Sequence, residues 1–185
     1  MESLQPKWLA KMQVKSNRLY VFIPFLLSFL LGFSIAGYQY ALLDISEEFG
    51  MGNSGMGVIA TARAIGMVVM PILVAYIADK MPKKAFAQLS GWVYIAFSLI
   101  MGIWGTNFYV VLISVFFIYA CSTTLYAALI VLLAETDPRS TNRFSNIISL
   151  VNSLGCMIYP IFLGFLMGRG MSWRGHYLIL SALVG

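Results

Sequence analysis

The segment that decides the fold is AYIADKMPKK, residues 75–84, which follows directly on a long apolar run. In it Asp79 is followed by three lysines, and Pro82, a residue that stops helices, stands among them. Another long apolar run begins immediately afterwards. A charged loop this short between two such runs predicts a cytoplasmic loop in a protein that crosses a membrane several times.

The composition supports a membrane protein. The chain has 185 residues, of which 60% are hydrophobic and only 10% are charged, whereas about 25% of the residues are charged in a soluble domain. The net charge of +5 does not indicate nucleic-acid binding, because the basic residues lie at the ends of the apolar runs. Cys121 and Cys156 lie inside apolar runs, so we expect neither a structural disulfide nor a metal site, and no cofactor.

The apolar runs divide the chain into a tail and a helical bundle. Residues 1–18 are predicted to be a basic cytoplasmic tail, and residues 19–185 an all-α transmembrane bundle in the lipid bilayer. Five runs are long enough to cross a bilayer, and a sixth is incomplete. The predicted helices are about 19–43, 54–78, 85–105, 108–134, 144–168 and 174–185. Because the last helix is short, we expect the chain to be a fragment of a longer protein.

The positions of lysine and arginine predict the orientation. Most of the basic residues fall on one side of the predicted membrane; these are Lys7, Lys11, Lys15, Arg18, Lys80, Lys83, Lys84, Arg139 and Arg143. Arg169 and Arg174 lie on the opposite side, and Arg63 lies within a span. Loops rich in Lys and Arg stay in the cytoplasm. We therefore expect a cytoplasmic N-terminus, location in the cell membrane, and a first outer loop that carries Asp44, Glu47 and Glu48.

Residues 75–84 resemble the signature loop between the second and third helices of the major facilitator superfamily. That pattern is a small residue, three residues, Asp, a basic residue, any residue, Gly and two basic residues. The matching residues, with Pro82 in place of Gly, are Ala75, Asp79, Lys80, Lys83 and Lys84. The resemblance implies twelve helices in two six-helix bundles, a central site between them and transport by alternating access. It also implies that Asp79 holds the inner gate closed.

An internal repeat points in the same direction. Gly66 and Pro71 in the second span correspond to Gly155 and Pro160 in the fifth, at one constant offset of 89 residues. A repeat of three helices must be inverted in the membrane, as in secondary transporters, which predicts a 3+3 arrangement. Glycine and proline are common in membrane helices, so coincidence is the alternative.

Arg63 is the charged residue deep within a span, and burial there costs about 2.5–3.5 kcal/mol. Such a residue usually faces a watery cavity or an acidic partner. We expect Arg63 to bind an anionic group of a solute or to pair with an acid in the missing half; snorkelling or a structural ion pair is the alternative. Its counterpart in the repeat is Asn152, which is also polar.

Polar residues form a helical face in three spans, at i, i+3, i+4 and i+7 or part of that series. These faces predict a shared polar cavity, although hydroxyl residues also serve helix packing. The candidate cavity residues are Ser34, Tyr38 and Gln39 in the first span, Tyr119, Ser122, Thr123 and Tyr126 in the fourth, and Ser149 and Asn152 in the fifth.

A further group, Glu135, Arg139 and Arg143, resembles the second cytoplasmic charge cluster of the family and is expected to be structural. Gly155 and Pro160 match only half of the pattern of the drug antiporters, and the positions of that group's Arg and Gly in the fourth helix hold Phe116 and Ala120.

We interpret the chain as the N-terminal half of a secondary active transporter for a small solute. A multidrug exporter of the same superfamily and a membrane binding or assembly protein without transport are the alternatives. An enzyme is not expected, because no span holds paired carboxylates or a cluster of metal ligands, and the single histidine, His176, lies at an outer boundary.

Overall fold

The computed structural model describes residues 7–78, 83–136 and 141–185, with side chains from Phe22 onward except near the two gaps. These residues form helices joined by short turns, with no strand among them. The helices are α1 (Lys7–Glu48), α2 (Gly52–Ala78), α3 (Lys83–Trp104), α4 (Phe108–Thr136), α5 (Thr141–Met167) and α6 (Trp173–Val184). This architecture confirms the all-α membrane fold, because α1 to α5 each contain a segment long and apolar enough to cross a bilayer.

The first helix extends beyond its predicted span at both ends. The first helix begins at Lys7, within the predicted tail, and runs to Glu48. Asp44 and Glu47 therefore lie on the last turns of α1 rather than in an outer loop, and only three residues separate α1 from α2. Gly50 adopts a φ of 62° in that turn, a left-handed conformation that suits glycine.

The helices divide into a central and a peripheral group. Half of the α4 span and 44% of the α1 span are buried within the bundle, compared with 17% for α5 and 11% for α2. In the packing, α1 lies against α5, α4 lies against α2 and α3, and α6 lies against α3 and α1. The core therefore forms around α1 and α4, while α2 and α5 keep wide apolar faces exposed.

Two glycines allow close backbone contacts between a peripheral and a central helix. A side chain at Gly155 of α5 would collide with the backbone carbonyl of Phe29 in α1, and one at Gly66 of α2 would collide with that of Phe116 in α4. Small residues at such crossings let backbones approach closely. Pro71 and Pro160 lie inside α2 and α5 and do not end either helix.

Candidate solute-binding cavity

A cavity of about 190 Å³ lies where α1, α2, α4 and α5 meet. Its polar lining comes from α4 and α5, and its apolar lining comes from α1 and α2. The lining residues are Leu31, Ile35, Met67, Tyr119, Ser122, Thr123, Tyr126 and Asn152. The cavity is therefore amphipathic, with hydroxyl and amide groups facing aliphatic side chains.

Arg63 lies beside this cavity, one helical turn before Met67 on α2. Its guanidinium carbon is 4.6 Å from the ring centre of Tyr38 and 4.7 Å from that of Tyr119. The two ring centres are only 5.2 Å apart, so the two rings lie next to each other against the guanidinium. Such cation–π contacts stabilise a cation that has lost part of its hydration.

One hydrogen-bond donor of Arg63 has no acceptor. Its Nε atom is buried and has no hydrogen-bond partner. Among the residues that the structure describes, the recorded ion pair joins Arg174 to Glu48, and no acid pairs with Arg63. The predicted alternative of a structural ion pair is therefore not met within the described part of the bundle.

Tyr119 connects Arg63 to the cavity. Its ring lines the cavity and contacts the guanidinium, and its hydroxyl donates to the backbone oxygen of Ser34 at 2.8 Å. Since Tyr119 is only 1% exposed, its orientation is fixed by the core. The wall beside Arg63 is therefore rigid.

Asn152 is the polar group that α5 contributes. Its Nδ2 donates to the backbone oxygen of Ser28 at 2.9 Å, and the Ser28 hydroxyl in turn donates to the backbone oxygen of Ile148 at 2.9 Å. The Cys156 thiol donates to the backbone oxygen of Gly32 at 3.3 Å. These bonds across the helix pair fix the position of Asn152 at the cavity.

The structure brings most of the predicted cavity residues together. Five of them line the cavity, and Tyr38 and Arg63 contact Tyr119. Ser149 is exposed and shares a 2.9 Å hydrogen bond with the Tyr126 hydroxyl. Gln39 is exposed and does not line the cavity, because it is the next residue after the buried Tyr38 and so points to another side of α1. The Ser34 side chain is buried in the core without a hydrogen-bond partner.

The apolar wall was not predicted. Leu31 and Ile35 lie one turn apart on α1, on the face that also carries Ser34 and Tyr38. This spacing could have predicted that Leu31 and Ile35 line the cavity. No comparable spacing on α2 indicated Met67.

His176 lies on the first turn of α6 and is fully buried within the bundle. Its Nδ1 shares a 2.8 Å hydrogen bond with the hydroxyl of Tyr159, and its ring packs against Gly37 of α1, where a side chain would collide with it. It therefore joins α1, α5 and α6. Among the described residues, no group of three or more histidine, cysteine or acidic residues could hold a metal ion.

Several predicted residues lie outside the described part of the chain. Asp79, Lys80 and Arg139 belong to the two gaps, and the side chains of Ala75, Lys83, Lys84 and Glu135 are also not described. Arg143 is exposed on the first turn of α5. The predicted gate and the second charge cluster accordingly stay predictions.

The comparisons with known proteins agree with the fold. The family model described as Major Facilitator Superfamily matches residues 24–185. The search of curated proteins gives no match, and the search of solved structures gives none either.

Proposed function

The chain belongs to the Major Facilitator Superfamily, and from this premise we propose secondary active transport of a small anionic solute by alternating access. The protein is an integral membrane transporter of that family. Beyond membership of the family, we propose that transport is secondary active and that the solute binds in the cavity beside Arg63. We also propose that the N-terminus is cytoplasmic and that the protein lies in the cell membrane. An enzymatic activity does not fit a family of transporters.

The observation that carries the proposal is the environment of Arg63. A half-buried guanidinium rests on the rings of Tyr38 and Tyr119 beside a cavity, with its Nε unpaired. Intramembrane arginines usually face a binding site or a partner of opposite charge. With no described acid to pair with it, an anionic solute is the partner that best accounts for this position.

We assign the exposed faces of α2 and α5 to contact with a second six-helix bundle. Alternating access then amounts to rocking of the two bundles about the cavity. The matched positions of Gly66 and Gly155 against α4 and α1 support the inverted repeat on which this mechanism rests. In the closed inner state, Asp79 ties the inner end of α2 to the other bundle.

The small cavity favours a specific carrier over the multidrug alternative. Pockets that enclose drug-sized ligands measure about 300–1,000 Å³, whereas this cavity measures about 190 Å³. An exporter of large lipophilic drugs would need the second bundle to contribute most of its site.

Thiol labelling tests alternating access without knowledge of the solute. In full-length protein that carries Cys121→Ala and Cys156→Ala, Ser122→Cys places a thiol in the cavity. We expect a membrane-impermeant reagent to label it from both sides of oriented vesicles. Asp79→Asn should speed labelling from the cytoplasmic side and slow it from the other.

Ser114→Cys is the matched control, because Ser114 lies on the same helix but is fully buried and does not line the cavity. It should stay unlabelled. Labelling of Ser122→Cys from one side only, whether or not Asp79 is replaced, would contradict alternating access and favour the non-transporting alternative.

A further inference from the structure

The rings of Tyr38 and Tyr119 both pack against the guanidinium of Arg63. Its Nε atom is buried and has no hydrogen-bond partner. The Tyr38 hydroxyl is likewise buried and unpaired. An arginine offers only donors, in a planar fork that matches the two oxygens of a carboxylate. The missing group is therefore an acceptor, and a planar acceptor with two oxygens fits best.

The charge of the site limits the charge of the solute. Among the described residues, Arg63 is the cation that contacts the cavity wall; Arg143 and Arg169 are exposed at the two ends of α5, and Arg174 is paired with Glu48. One guanidinium balances one negative charge. A second carboxylate or a doubly charged phosphate would lie against hydroxyl groups and aliphatic side chains without a counter-charge, which is unfavourable.

The two walls specify the body of the solute. Leu31, Ile35 and Met67 offer aliphatic contact on one side, and Ser122, Thr123 and Asn152 offer polar groups on the other. Because the amide nitrogen of Asn152 is bonded to Ser28, its amide oxygen remains as an acceptor for a hydroxyl group. The best fit is a short aliphatic chain that carries one hydroxyl group.

We propose that the transported solute is a small hydroxy-monocarboxylate, bound through its carboxylate to the edge of Arg63. Its chain contacts Leu31, Ile35 and Met67, and its hydroxyl group bonds to the polar wall on α4 and α5. This inference rests on the proposed function, since it names the solute class of the same cavity.

Binding to the full-length protein in detergent tests the solute class with paired probes. The probes are 2-hydroxybutyrate, its neutral amide 2-hydroxybutyramide, unsubstituted butyrate, the dicarboxylate malate, and inorganic phosphate. We expect 2-hydroxybutyrate to bind at least about tenfold more tightly than the amide, malate or phosphate, because the amide has no charge, malate carries a second carboxylate and phosphate lacks the aliphatic chain. Butyrate should bind more weakly than the hydroxy acid and more tightly than the amide.

Variants at Arg63 connect the binding to this residue. Arg63→Met keeps much of the side-chain volume and should remove the preference for the acid over the amide. Arg63→Lys keeps the charge without the planar fork and should retain only part of it. Arg169→Met is the matched control, because Arg169 also rests on an aromatic ring, with its guanidinium carbon 4.0 Å from the ring centre of Phe165, but is exposed outside the cavity. It should bind like the wild type.

The outcomes separate this inference from the proposed function. Equal binding of acid and amide, tighter binding of malate or phosphate, or no binding of any probe would overturn the solute class, while two-sided labelling of Ser122→Cys would still support transport. Binding of 2-hydroxybutyrate that depends on Arg63, together with one-sided labelling, would support the solute class and overturn transport.

Discussion

The helix pair α1–α5 and the helix pair α2–α4 are built on the same close contact but differ in how their polar groups are used. In each pair a glycine of the peripheral helix, Gly155 or Gly66, packs on a backbone carbonyl of the central helix. In α1–α5 the neighbouring Asn152 donates to the backbone of Ser28. In α2–α4, Arg63 lies three residues before Gly66, as Asn152 lies three residues before Gly155, and its Nε stays unpaired beside two aromatic rings.

The difference separates packing from binding. Asn152 satisfies its donor inside the bundle and thereby stabilises the fold. Arg63 keeps donors available and has lost part of its hydration without gaining an acid, which costs stability. The unpaired Nε of Arg63, next to the cavity, supports the proposal that a solute binds there, whereas the donor of Asn152 is already used within the bundle.

The largest expected effect concerns the shared glycine contact. Gly155→Ala and Gly66→Ala each place a methyl group on a backbone carbonyl that cannot rotate away. We expect a loss of about 3 kcal/mol or more of unfolding free energy, at the upper end of overpacking effects. Gly155→Ala should be the more harmful, because Gly32 of α1 also lies against it. Thermal unfolding of the full-length protein in lipid nanodiscs measures both changes.

Gly57→Ala is the control for these variants, because Gly57 lies on α2 with open space around its Cα. Alanine there should be neutral or stabilise the protein by up to about 1 kcal/mol. If Gly66→Ala behaved like Gly57→Ala, the two helix pairs would not share the contact, and the comparison would lose its basis.

Smaller changes in the free energy of unfolding are expected at Arg63 and Asn152, and the two changes should have opposite signs. Arg63→Met removes a burial cost of about 2.5–3.5 kcal/mol and ring contacts that contribute about 0.5–1 kcal/mol each, so the variant should be more stable by about 1 kcal/mol. Asn152→Leu leaves the oxygen of Ser28 without its side-chain donor and should be less stable by about 1 kcal/mol. Unfolding of both variants without added solute provides the measurement.

A shift of both variants in the same direction would remove the distinction between the two positions. Destabilisation by Arg63→Met in particular would mean that the guanidinium is satisfied in the full-length protein, for example by an acid on the second bundle. The solute would then not be its first partner.

Much of the fold was predictable because lipid imposes a strong constraint. An apolar run of about 20 residues has few alternatives to a membrane-spanning helix, and among the described residues five helices are long and apolar enough to cross a bilayer. The ends were predicted less well. Hydropathy marks the depth of the lipid rather than the length of the helix, so the polar turns of α1 from Lys7 and up to Glu48 were missed.

The site was predictable only as far as helical period determines it. The i, i+3, i+4, i+7 series placed the polar face of α4 on the cavity. The helical period does not show which polar group already has a hydrogen-bond partner. It therefore could not predict that Asn152 is paired whereas the Nε atom of Arg63 is not. It also gave no sign that His176, near a predicted helix end, would be covered by Tyr159 and Gly37.

The smallest expected effect concerns the C-terminal end of α1, where a charged contact adds to the packing that holds this helix. The Glu48 carboxylate accepts from the indole nitrogen of Trp173 at 2.7 Å and from Nη1 of Arg174 at 3.1 Å, and Arg174 also donates to the backbone oxygen of Gly105 at 2.9 Å. The side chains of Arg174 and Glu48 are 23% and 39% exposed. Solvent therefore weakens the pair, and Glu48→Gln should lower the free energy of unfolding by less than about 1 kcal/mol.

This loss should shrink further as salt rises from 0.05 to 0.5 M, roughly the range over which charge screening becomes strong. Glu47→Gln removes the same charge one residue away and serves as the control. A loss at Glu48 that exceeded the loss at Asn152 and did not respond to salt would mean that α1 is held mainly at its C-terminal end, and the polar contacts along α1–α5 would then be secondary.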